Sequence, residues 1–148
     1  MKTALLLSLI ACAAFGQKTK TIEIADVAKV SISCFVRYNE SNVPTDTSYY
    51  MYGVNAKYKS IVDIVSLKKG DIYEIQRLVK KCLEASKEDD GTTFDFEGSF
   101  IGVFKTMGIN AVVLYGQDDD SDGYVELSAN QINKLLAKIE EHISTIKK

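Results

Sequence analysis

Ile109 to Lys148 reads INAVVLYGQDDDSDGYVELSANQINKLLAKIEEHISTIKK, and this stretch decides the fold. It opens as an apolar strand from Ala111 to Tyr115 and passes through an acidic loop from Gly116 to Gly123. It returns as a short strand from Tyr124 to Leu127 and ends in an amphipathic helix. Ile132, Leu135, Leu136, Ile139, Ile143 and Ile146 recur at offsets of three, four and seven, so they form one apolar stripe. Ser128 followed by Gln131 fits a capping box: the serine oxygen accepts from a free first-turn amide while the glutamine reaches back. A stripe of this kind has to be covered, so the rest of the chain must supply a sheet.

Upstream, the strand signals recur. Thr21 to Ile24 reads as a short edge strand. Val30 to Tyr38 alternates apolar Val30, Ile32, Cys34 and Val36 with Ser31, Ser33 and Arg37, the pattern of a half-buried antiparallel strand. Asn39 to Thr47 is rich in turn formers and predicts a loop. Tyr49 to Tyr58 and Ile61 to Leu67 predict the next two strands, joined by a Lys68-Lys69-Gly70 turn to a helix that Asp71 caps. Ile72, Ile75, Leu78, Val79, Cys82 and Leu83 form its stripe. Thr92 to Glu97 and Ser99 to Thr106 then lead into the stretch quoted above; in the second of these Phe100 and Phe104 stand opposite Ile101 and Val103. The order meander, helix, meander, helix predicts an α+β fold: one antiparallel sheet of six to eight strands with both amphipathic helices packed on one face.

The first residues predict a leader rather than part of the fold. Lys2 supplies the positive start, Ala4 to Ile10 the apolar run, and Ala14-Phe15-Gly16 the small residues of a cleavage site. Residues 1–16 are then the signal peptide, and 17–148 form a single exported domain, secreted or periplasmic. A second reading places a lipid anchor on Cys12, which follows Leu9-Ile10-Ala11. Without Lys2, 17 basic side chains face 20 acidic ones, a formal charge of −3 with both signs interspersed. Nucleic acid is an unsuitable partner for such a surface. No stretch after the leader is apolar for long enough to span a bilayer.

Three features carry candidate chemistry. Asp118, Asp120 and Asp122 followed by Gly123 match the first half of a calcium loop, with the Tyr124 carbonyl and Glu126 as further oxygen donors. The twelfth position is Ala129 instead of the bidentate glutamate, and a strand precedes the loop instead of a helix, so the alternative is a solvated turn. Tyr50, Tyr52 and Tyr58 on one strand face offer flat apolar area with hydroxyl handles, a candidate binding surface, although strands favour aromatic residues anyway. Cys34 and Cys82 both fall on apolar faces; an oxidising compartment allows a strand-to-helix disulfide, and two buried thiols are the other reading.

His142 sits near a helix C-terminus, where the dipole favours the protonated ring. Phosphate loops, serine elbows and Cys/His metal clusters are missing from the sequence. The expected function is therefore a non-enzymatic interaction module for another exported or surface protein. The alternatives are a calcium-binding exported protein and a hydrolase built on a carboxylate pair.

Overall fold

A computed structural model describes residues 18–57, 63–117 and 123–147. Four strands, β1 (Lys18–Val27), β2 (Val30–Tyr38), β3 (Pro44–Val54) and β4 (Ile64–Gly70), precede helix α1 (Ile72–Ala85). Four more, β5 (Thr93–Phe96), β6 (Ser99–Thr106), β7 (Ile109–Tyr115) and β8 (Tyr124–Ser128), precede helix α2 (Ala129–Ile146). The fold is α+β, and every strand pair is antiparallel.

The strands form two sheets of four, β1-β2-β3-β4 and β5-β6-β7-β8, where the sequence predicts one sheet. Helix α1 intervenes directly after β4 and carries the chain away, so β5 starts a new ladder. The helices also differ from a pair lying on one face. They pack against each other, and each reaches both sheets: α1 touches β3, β4, β6 and β7, and α2 touches β1, β7 and β8. A single core results, from Ile32, Met51 and Leu67 of the first sheet to Ile101, Leu114 and Leu127 of the second, with Ile75, Leu78, Leu135 and Ile139 between them. Neither half has a core of its own.

Local chemistry explains the elements. Both helices start with a full capping box immediately after the fourth strand of their half. Asp71 accepts from Tyr73 and Glu74 while Glu74 accepts from the Asp71 amide; Ser128 and Gln131 repeat the exchange. The buried residues of α1 are Ile72, Ile75, Leu78, Val79, Cys82 and Ala85, and those of α2 are Ile132, Leu135, Ile139 and Ile143; of the predicted stripes Leu83 and Leu136 lie at the margin, partly buried, and Ile146 at the helix end is exposed. Among the described residues no helix is long and apolar enough to cross a membrane.

Several boundaries move outward from the sequence reading because ladder pairing extends past the apolar runs. Pro44 to Thr47 belongs to β3, paired with Val36 to Tyr38, instead of a loop. Lys68, Lys69 and Gly70 belong to β4, paired with Met51, Tyr50 and Tyr49, instead of a turn. Polar edge residues join a ladder because its hydrogen bonds are made by backbone, whatever the side chain.

Candidate functional site

Strand β6 is apolar on both faces, and this sets up the most distinctive surface of the molecule. Ile101 and Val103 enter the core, so Phe100, Gly102 and Phe104 face outward. On β7, Val112 and Leu114 enter the core and leave Val113 and Tyr115 outside; on β8, Val125 and Leu127 leave Tyr124 and Glu126 outside. Phe100, Tyr115 and Tyr124 then form a continuous row across three strands, with ring centroids 5.3 and 5.8 Å apart. The ring of Phe104 lies over Gly102: a Cβ added there would stand 3.0 Å from its Cε2 atom. Glycine is what lets this ring lie flat. Val113, opposite Gly102, is 4% exposed although it points away from the core.

The two phenylalanine rings stay in solvent, while Tyr115 and Tyr124 are half-buried. Phe100 is 47% exposed and Phe104 44%, with Ile109 and Met107 more open still at the end of the same hairpin. The charged side chains at outward positions of this sheet are Asp95, opposite Phe100 on β5, and Glu126, opposite Val113 on β8, and both are carboxylates. The outward face of the second sheet is thus aromatic at its centre and acidic at its two edge strands.

The first sheet's outward face has a different character. Tyr50 and Tyr52 alternate with core-facing Tyr49 and Met51, and both are half-buried against their own chain. The Tyr52 hydroxyl lies 3.2 Å from Ser33 Oγ, Phe35 packs edge-on to Tyr50 at 5.0 Å, and Lys69 Nζ sits 5.3 Å from the Tyr50 ring centroid. The sequence reading placed Tyr58 with them; that residue lies outside the described residues.

Asp118, Asp120 and Asp122 also lie outside the described residues, but both ends of their loop are held. The Gly116 amide donates to the Gly123 carbonyl at 2.9 Å, and the Gln117 amide to the Ser66 carbonyl at 2.9 Å. Gly123 packs so closely against Val65 and Asn55 that a Cβ would collide with the valine. The Tyr124 carbonyl accepts from the Ala56 amide at 2.7 Å, and Glu126 is exposed. Among the described residues no three His, Cys, Asp or Glu side chains are grouped to hold a metal ion.

No family model matches the chain, and no curated protein or solved structure matches it.

Cys34 and Cys82 are free thiols, both buried, so the disulfide reading is replaced by the other one. Burial pushes both thiols up, Cys82 to about 12, which makes them poor nucleophiles. Cys34 belongs to a small polar group at the core's margin with Tyr49 and His142. The Tyr49 hydroxyl lies 3.3 Å from His142 Nε2, and burial chiefly, with the Cys34 thiol adding to it, raises the phenol to about 12. Burial also lowers the His142 pKa, against the helix-dipole expectation, because the ring is desolvated against Tyr49 at the edge of the core.

The aromatic face of the second sheet also has a signal in the sequence. It is the strand Ser99 to Thr106, with phenylalanine on one face and branched aliphatics on the other, since a sheet with one buried face needs only one of these.

Proposed function

We propose that this protein is an exported, non-enzymatic interaction module that binds another exported or surface protein through the outward face of its second sheet. The carrying observation is the aromatic row Phe100, Tyr115 and Tyr124 with Phe104 beside it, in which the two phenylalanine rings are exposed and the two tyrosines half-buried. Contiguous exposed apolar surface of this kind marks interaction sites, and aromatic rings provide large rigid contact area at low entropic cost. Tyr50 and Tyr52 are a weaker surface, because their rings and hydroxyls are engaged by Phe35, Lys69 and Ser33. Export rests on the leader, residues 1–16, with cleavage after Gly16.

The test is a photo-cross-linking amino acid placed at Phe104, and separately at exposed Lys134 on α2, in cells that express the protein. A discrete adduct from position 104 alone supports the reading. Identical adduct patterns from both positions, or none from either, count against it.

Calcium binding at the acidic loop is the second reading. It is favoured by four carboxylates in the sequence between Gly116 and Gly123, residues that a hydrogen bond joins, because a cation relieves the repulsion of carboxylates so close in sequence. Millimolar calcium should then raise the thermal midpoint of the chain starting at Gln17, and Asp120→Ala should abolish the rise. An unchanged midpoint returns the loop to a solvated turn.

A further inference from the structure

We propose that the aromatic face of the second sheet takes a basic partner: an extended segment crossing the strands, with two arginine or lysine side chains four residues apart. This rests on the interaction reading and adds the chemistry of the occupant.

The first observation is the sign of the charge. Outward positions on β5 to β8 hold Thr93, Asp95, Phe100, Gly102, Phe104, Thr106, Ile109, Ala111, Val113, Tyr115, Tyr124, Glu126 and Ser128, so both charged residues are acidic. A second copy of this chain meeting the same face would bring only carboxylates together, which disfavours self-pairing. An acidic partner meets the same repulsion.

The second observation is what the molecule does with its other aromatic rings. Lys69 lies over Tyr50, Lys81 over Phe94 at 4.8 Å and Lys147 over Tyr73 at 5.8 Å. Among the described residues no lysine or arginine lies over Phe100, Phe104, Tyr115 or Tyr124. Ring faces attract cations through their quadrupole, and arginine stacks on them as well. The chain satisfies that attraction internally on Tyr50, Phe94 and Tyr73 and leaves it open on this row.

The third observation is spacing. Asp95 on β5 and Glu126 on β8 bracket the row, with β6 and β7 between them. Strands are about 4.8 Å apart, so the two carboxylate-bearing positions stand roughly 16 Å from each other once their offset by one row is included. An extended chain advances about 3.3 Å per residue, and residues i and i+4 point the same way about 13 Å apart. Long basic side chains cover the remainder, and the residue midway between them rests on the rings.

The experiment titrates the chain starting at Gln17 with the peptide Thr-Arg-Thr-Val-Thr-Arg-Thr, with its Arg-to-Glu counterpart and with its Arg-to-Gln counterpart, following backbone amide resonances. The arginine peptide is expected to shift Phe100, Val113, Tyr115, Tyr124 and Glu126 saturably, and more weakly at high salt. The Asp95→Asn, Glu126→Gln double variant should bind about fivefold more weakly, the effect of losing two exposed charge pairs, with its spectrum otherwise intact.

Equal binding of the three peptides at this face would overturn the basic partner and leave the interaction surface standing. Absence of any peptide shift would also overturn it. The apolar dye ANS then separates the two readings: dye bound at these residues keeps the surface, and no dye bound removes both.

Discussion

Replacing Asn55 by alanine is expected to destabilise the protein by about 3 kcal/mol, because this one side chain joins the two sheets. Asn55 is 2% exposed and follows β3 directly. Its Oδ1 accepts from the Lys57 amide at 3.0 Å and from the Tyr124 amide, the first residue of β8, at 3.2 Å. Its Nδ2 donates to Asp63 Oδ2 at 2.9 Å. Each hydrogen bond contributes about 0.5–1.5 kcal/mol net, and a buried donor left without a partner costs about 1–3 kcal/mol. Alanine removes three bonds and strips two backbone donors of this acceptor, hence the total.

Asp63→Ala is the graded comparison, since it removes only the Nδ2 partner; the Asp63 carbonyl still accepts from the Asn55 amide. It should cost about 1 kcal/mol. Urea unfolding followed by circular dichroism measures both. With a slope of about 2 kcal/mol per molar, the Asn55→Ala midpoint should fall by about 1.5 M and that of Asp63→Ala by about 0.5 M. A fall of less than about 0.3 M for Asn55→Ala would refute the reasoning, as would the reverse order of the two variants.

Other expectations follow from the same structure. Native Cys34 and Cys82 should resist alkylation at pH 8 and react only on unfolding, with an intact mass showing two thiols; a mass lower by two hydrogens would contradict the buried-thiol assignment. His142 is the single histidine, so its proton resonances report one titration, expected below the ordinary value of about 6.5. Its folded pKa is depressed, so its contribution to stability is complete above about pH 6.5 and lost as pH falls through the folded value; His142→Gln should flatten that part of the acid limb. Ser128→Ala breaks the second capping box and should cost about 1 kcal/mol in the same urea assay, whereas Ser144→Ala, exposed on the last turn of α2, should change little.

Both helices and their caps were legible, because a period of 3.6 and a capping box are local properties: Asp71 and Ser128 meet their partners three positions away. The antiparallel meanders were legible for a similar reason, since each strand pairs with its sequence neighbour. Strand ends were less so. Lys68 to Gly70 lies in β4 because the backbone opposite Met51 to Tyr49 offers a ladder, a fact that side-chain polarity does not carry.

The candidate surface depended on knowing which face of each strand is buried. Phe100 and Phe104 alternate with Ile101 and Val103, and either set would suit a core; the helices decide between them by covering Ile101 and Val103. The sequence by itself determined the α+β class, the two capped helices, the acidic loop and the presence of buried cysteines. Only the tertiary structure decided that the strands divide into two sheets, that the thiols remain unpaired, that burial outweighs the helix dipole at His142, and that Asn55 bridges to Tyr124. The physical reason is range: periodicity and capping act within a few residues, whereas desolvation, inter-sheet hydrogen bonds and the choice of a buried face depend on residues that only folding brings together.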